Sequence, residues 1–194
     1  MSIRIATEAD IPQILDIYAP YVRDTAISFE YHVPSLAEFT RRFYAITAQF
    51  PWLVWEEDGK VMGYAYGSAP FERAAFGWCA EASIYLHPSI HGKGIGKALY
   101  AVLEAILALQ GYQKVYVLVT TANSASVKFH EAVGYQFTAS MPRCGYKLGA
   151  WHGLNWLEKQ LSHVENPENF PIPAHSIVDF DRKFRKILDT LSLF

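Results

Sequence analysis

Residues 81–96 read Glu-Ala-Ser-Ile-Tyr-Leu-His-Pro-Ser-Ile-His-Gly-Lys-Gly-Ile-Gly, and a helical apolar pattern follows at once. A strand thus runs into a glycine-rich turn, and the turn opens a helix. Such a turn lines up backbone N–H groups at the positive end of the helix dipole, which is a seat for a pyrophosphate. One carboxylate, Glu81, lies on the strand leading to it. Strand alternation puts Glu81, Ser83 and Tyr85 on one face, with Ala80, Ala82, Ile84 and Leu86 on the other. The stretch therefore sets a phosphate-bearing cofactor beside a carboxylate able to act as a base.

Outward from this stretch the chain spells β-α-α-β-β-β-α-β-α-β-β. Ile3–Ala6 alternates as a first strand. Thr7 or Asp10 caps a helix with Ile11, Ile14, Leu15 and Tyr18 on one side, and Pro20 marks its end. Ser35 and Glu38 form a capping box for a second helix, whose stripe is Leu36, Phe39, Phe43 and Ile46. Trp52–Glu57 and Lys60–Tyr66 are strands around Asp58-Gly59, a hairpin signal. After a loop over 67–76, Trp78–His87 is the strand carrying Glu81. The next helix places Ile95, Leu99, Val102, Ile106 and Leu109 at helical spacing and stops at Gly111. Lys114–Thr120 is β-branched and almost wholly apolar, hence central. Asn123–Val133 is a short helix ended by Gly134. Tyr135–Ser140 and Leu154–Leu161 close the sheet around a glycine-containing loop. The fold class is α/β (α+β): a mixed, mostly antiparallel sheet with helices on both faces, formed by residues 1–161. Residues 162–194 are a proline-containing linker and an amphipathic helix. Ser176 and Asp179 cap that helix, and its apolar side is Phe180, Phe184, Ile187, Leu188 and Leu191. The helix packs on its own domain or a sister subunit; the alternative is a membrane-surface helix.

Composition narrows the function classes. The chain has 194 residues, is 51% hydrophobic and carries a net charge of -2. That balance speaks against disorder and against nucleic acid held by bulk charge. No apolar run approaches a membrane span, and the N-terminus lacks a secretory h-region, so a cytoplasmic protein is expected. Two cysteines make no disulfide framework. No His-Glu-x-x-His or Cys-x-x-Cys spacing marks a metal site. The loop is not a Walker A sequence. Nor is it the dinucleotide fingerprint, because its third glycine would fall at Lys97.

Several motifs in order resemble the GCN5-related N-acetyltransferases (GNAT). His91-Gly92-Lys93-Gly94-Ile95-Gly96 is similar to their acetyl-CoA pyrophosphate loop, and Asn123–Tyr135 to their second cofactor motif. Tyr18, Ile27-Ser28-Phe29, Tyr64-Ala65-Tyr66, Glu81-x-Ser83-Ile84-Tyr85, His130-Glu131-Ala132 and Gly145-Tyr146-Lys147-Leu148-Gly149-x-Trp151-His152 resemble the phosphinothricin acetyltransferase branch. The resemblance spans residues 3–161. It implies a GNAT fold, acetyl-CoA as cofactor, a homodimer, and acetyl transfer to a small-molecule amine acceptor. That acceptor would be a small amino acid of the phosphinothricin, methionine sulfone or methionine sulfoximine type. Alternatives are a protein N-terminus, an aminoglycoside, or a non-catalytic acyl-CoA sensor.

The same resemblance distributes roles. Glu81 is the general base and His130 a proton donor to the leaving thiolate. Backbone groups of Ile84, Tyr85 and Leu86 pair with pantetheine. His91 and the N–H groups of Gly92, Lys93, Gly94, Ile95, Gly96 and Lys97 take the pyrophosphate. Asn123 and Ser126 hold the cofactor arm. Phe29, Arg73, Phe76, Ser83, Tyr85 and Lys147 fall at acceptor-contacting positions, the two cations suiting an acidic group. Trp151 and His152 either close the pocket, from this chain or a neighbour, or Trp151 is core. One departure is His91, where the superfamily carries Gln or Arg: a neutral imidazole offers one N–H and no full charge. Cys79 shares the face of Glu81, yet without a histidine partner it reads as a small buried thiol, not an acyl carrier.

Overall fold

The computed structural model describes residues 2–191. Seven strands form one sheet, β1 (Ser2–Ile5), β2 (Trp52–Glu57), β3 (Lys60–Ser68), β4 (Cys79–Leu86), β5 (Lys114–Thr120), β6 (Gln136–Lys147) and β7 (Ala150–Gln160), in the order β1-β2-β3-β4-β5-β7-β6. All neighbours are antiparallel except β4 and β5. The alternation read from the sequence holds. Trp52, Val54 and Tyr64 turn to one face, under α1 (Ile11–Asp24) and α2 (Leu36–Thr47). Leu53, Ala65, Ala80, Ala82, Val115, Val117 and Leu157 turn to the other, under α3 (Ile95–Gln110). Val127 and Phe129 of α4 (Ser124–Ala132) and Phe180, Phe184, Ile187 and Leu188 of α5 (Phe180–Thr190) pack against that second core.

The hairpin over Asp58-Gly59 forms with positive φ at both turn residues, as a type I′ turn requires. Gly111 and Gly134 end α3 and α4 in the left-handed region.

Some local expectations are corrected. Pro20 lies inside α1, not at its end. Ile17, Tyr18 and Val22 are buried on both sides of it, and that burial outweighs the one backbone bond the proline removes. Ser35 caps α2 by accepting from the Glu38 N–H, but the Glu38 carboxylate turns to Arg41 and Arg42, so only half of the box forms. Leu36 and Leu109 are exposed. Asp179 precedes α5 without a side-chain cap, its carboxylate taken by Arg182, and Ser176 sits in a short 3-10 turn. The closing hairpin is longer than expected: β6 and β7 continue through residues 141–153 to a two-residue turn at Leu148-Gly149, both at positive φ.

Candidate active site

The parallel pairing of β4 and β5 is short. It covers Cys79 with Lys114, Ala80 with Val115 and Glu81 with Tyr116, and then stops. Beyond Glu81, β4 stays paired with β3, and β5 with β7. The two strands therefore part into a notch whose vertex is Glu81. A cavity of about 70 Å³ lies there, walled by Ala82–Tyr85 on one side and Val117–Thr120 on the other, with Tyr100 and His130 beneath. It shares Ile84, Tyr85, Asn123 and Ser126 with a cleft of about 570 Å³ that runs out along α3 and α4.

The outer cleft is built as the glycine turn demands. Gly92 and Gly94 both adopt left-handed φ, which frees the turn to aim its N–H groups at the mouth of α3. His91, Gly92, Gly94, Ile95, Gly96 and Lys97 line the cleft; Lys93 is exposed and does not. Gly96 sits close under α4: a Cβ there would lie 3.2 Å from the Phe129 ring, and the ring would have to yield by a few tenths of an ångström. Asn123 caps α4 by accepting from the Ser126 N–H at 3.1 Å and also faces the cleft. The cleft thus offers a row of amides for a diphosphate and, in the notch, unpaired strand edges for an extended amide-bearing arm. These residues fit acetyl-CoA. One expected contact is already shared: the Leu86 carbonyl accepts from the Tyr21 hydroxyl at 2.5 Å and lies 3.2 Å from His91 Nε2. His91 therefore braces the strand end, and Tyr21, which the sequence reading passed over, lines the same cleft.

At the vertex, Glu81 is half-buried, and no cation or donor among the described residues meets its carboxylate. Burial alone pushes its pKa up from 4.5 to about 7. A carboxyl poised there is matched to taking a proton near neutral pH.

His130 is placed differently from its expected role. It is buried, and Nδ1 lies 2.7 Å from the Ser126 carbonyl, so Nδ1 carries the proton. Nε2 is then a lone pair, and it accepts the Tyr100 hydroxyl at 2.9 Å. Burial pushes the imidazole down to about 4, which keeps it neutral. With both nitrogens engaged, His130 has no spare proton for a thiolate. Tyr100, missed in the sequence, lines the notch with its hydroxyl proton donated to His130. Its signal was a hydroxyl-bearing residue on the buried face of α3, among Leu99, Val102 and Leu103.

On the acceptor side, Phe29 packs its ring against Gly145, where a Cβ would come within 2.5 Å, and lies 6.4 Å from the His152 ring. Ser83 and Tyr85 follow Glu81 along its face, Tyr85 packing edge-on to Tyr18 at 4.9 Å. Arg73 and Phe76 are exposed on the loop over 69–77. Phe71 of that loop stacks on Trp156 at 5.7 Å and touches Phe76 at 4.4 Å.

Lys147 is corrected. It is buried, and Nζ donates to the carbonyls of Val22 and Ser28 at 2.7 and 2.6 Å. Its charge is spent on two backbone dipoles, so it fastens the 25–31 segment instead of meeting an acceptor. The same segment is held by Tyr18, whose hydroxyl lies 2.8 Å from both Ser28 Oγ and Glu30, and by Arg42, which pairs with Glu30 at 2.7 Å. Trp151 is not core in this chain; it is half exposed, beside Tyr146 and under the Arg143 guanidinium. His152 faces the Lys147 carbonyl at 3.0 Å. Burial raises the Cys79 thiol, which keeps it away from the thiolate form.

Strands that part beside an amide-lined helix mouth suit an extended, diphosphate-bearing acyl-CoA, the architecture of an acyl-CoA-dependent N-acyltransferase. Comparison with known proteins agrees. Residues 3–156 match the model of the acetyltransferase (GNAT) domain. A phosphinothricin N-acetyltransferase of Streptomyces viridochromogenes is 30% identical, over 83% of this chain and 88% of its own. An L-methionine sulfoximine/L-methionine sulfone acetyltransferase of Salmonella typhimurium is 31% identical, over 87% of this chain and 99% of its own. A GNAT superfamily phosphinothricin acetyltransferase from Sinorhizobium meliloti, solved in complex with acetyl-CoA, superposes with a TM-score of 0.81 at 32% identity, covering 92% of this chain and 96% of that one. The chain belongs to the GNAT acetyltransferase family, resembles its phosphinothricin acetyltransferase branch, and uses acetyl-CoA. Among the described residues no helix is long and apolar enough to cross a membrane.

Proposed function

We propose that the chain acetylates the amino group of a small amino acid bearing a second acidic or sulfonyl-like group, with Glu81 as general base. The observation carrying this reading is a half-buried carboxyl, without a partner among the described residues, at the vertex of the notch. When bound, acetyl-CoA supplies an acetyl group activated as a thioester. An alkyl ammonium has no lone pair for attack, so the chain must first remove a proton. Glu81 takes it, directly or through one water. The Tyr100 hydroxyl, held by its bond to His130 Nε2, presents its oxygen as a fixed polar group beside the notch. Arg73, exposed and without an ion pair among the described residues, meets the acceptor's anionic end. The names of the relatives favour this acceptor class.

The test is acetylation of an amine panel: phosphinothricin, methionine sulfone, methionine sulfoximine, a tripeptide and an aminoglycoside. Turnover is expected with the first three. A faster tripeptide would replace this reading with peptide N-terminal acetylation, and the absence of thiol release with every amine, despite tight acetyl-CoA binding, would replace it with a binding role.

We infer also that two copies associate through the β6 side. Phe137, Met141, Tyr146 and Trp151 lie exposed on β6 and its neighbour, more apolar surface than a lone edge strand tolerates. Sedimentation should give twice the chain mass, reduced to one by Trp151→Glu. A monomeric wild type would overturn the inference.

A further inference from the structure

The segment beyond β7 has no part in the chemistry above, yet it reaches the acceptor side. Gln110 Nε2 donates to the carbonyls of Gln49 and Ile172 at 2.7 and 2.8 Å, and the Ile172 N–H returns to the Gln110 carbonyl at 2.9 Å. Gln49 Nε2 donates to the Pro171 carbonyl at 3.2 Å. These bonds fix residues 169–172 at the end of the sheet where β4 begins. There Trp78 Nε1 donates to the Asn169 carbonyl at 3.1 Å, and Phe170 stacks on Trp78 with centroids 4.4 Å apart. Residue 77 is forced to be glycine, because a Cβ would lie 2.8 Å from the Phe170 ring.

Gly77 and Trp78 are the foot of the loop that carries Arg73 and Phe76. The far side of that loop is held by Phe71, which packs on Trp156 and Tyr116. Phe71 and Phe76 wall a recess of about 230 Å³ shared with Phe170, Pro171 and Cys79. Between that anchor and the foot the loop spans open volume, so both ends set the position of Arg73 and Phe76.

We propose that Phe170 is a positioning residue: it clamps Gly77-Trp78 and so sets where Arg73 and Phe76 stand toward the acceptor. The proposal rests on the reading that the 69–77 loop flanks the acceptor. The clamp lies outside the stretch matched to the family, residues 3–156. The tail itself stays anchored without it, since Ala174 and Ile177 are buried in the core and α5 packs there too.

The test is Phe170→Ala in the full chain. The acceptor KM should rise about tenfold while the acetyl-CoA KM stays within about twofold, because only the acceptor's placement is disturbed. Phe170→Trp should restore it. Gly77→Ala, which presses on the ring from the opposite side, should also raise the acceptor KM. Backbone amides of residues 69–77 should exchange hydrogen faster in Phe170→Ala. Wild-type exchange there overturns the clamp whatever the acceptor is, and so does an unchanged acceptor KM. Faster exchange in a protein whose wild type acetylates no amine supports the clamp and removes the acceptor reading instead.

Discussion

Glu81→Gln should lower kcat/KM by about 10²–10⁴-fold while leaving acetyl-CoA binding intact. The amide keeps the shape of the side chain and the neutrality that burial favours, but it cannot take a proton. In the wild type, kcat/KM should climb with pH through about 7, because burial raises the carboxyl there and the base works only when ionised. The variant should lose that limb. Retention of the limb would remove Glu81 as the base. Stability should move the opposite way. Between 4.5 and about 7 the folded chain holds a proton that the unfolded chain has released, so stability falls as pH rises through that window. Glutamine escapes the penalty. At pH 8 the variant should be more stable than the wild type by about 1–2 kcal/mol, with the gap closing toward pH 4.5, a value reduced for partial solvent access. Activity bought with stability is the signature of a group held for chemistry.

Lys147→Met should cost about 3 kcal/mol, read as a fall in Tm of about 6–12 °C. The methionine fills most of the space but leaves the Val22 and Ser28 carbonyls without their donor in a buried place. The Phe29 segment would then loosen, so acceptor KM should rise alongside. A variant with wild-type Tm and raised acceptor KM would instead return Lys147 to the acceptor pocket.

What the sequence yielded follows from the range of each signal. Periodicity, caps and turn dipeptides act within a few residues, and they placed β1 to β5, α3, α4 and the Asp58-Gly59 and Gly111 turns. The β6–β7 extension was lost because Pro142 and Gly145 interrupt it and its side chains stay exposed, features an edge strand tolerates and a pattern search rejects. Pro20 misled because one missing hydrogen bond is cheaper than giving up a buried stripe. The motifs carried Glu81 and the phosphate turn. They could not carry Tyr100, whose meaning depends on His130 thirty residues away in sequence. Nor could they foresee that the Lys147 ammonium is spent on carbonyls of α1 and the segment after it.

The short pairing of β4 with β5 makes the sheet a pair of levers hinged at three residues. From Glu81 to Leu86 the arm, still paired with β3, is about 16 Å long at the usual strand rise. A rotation of about 4° at the hinge would therefore shift the far end by about 1 Å, while Glu81, at the fulcrum, would hardly move. Any such rotation would carry β3 along, so the width of the cofactor's entrance and the place of Glu81 are set at opposite ends of one ladder.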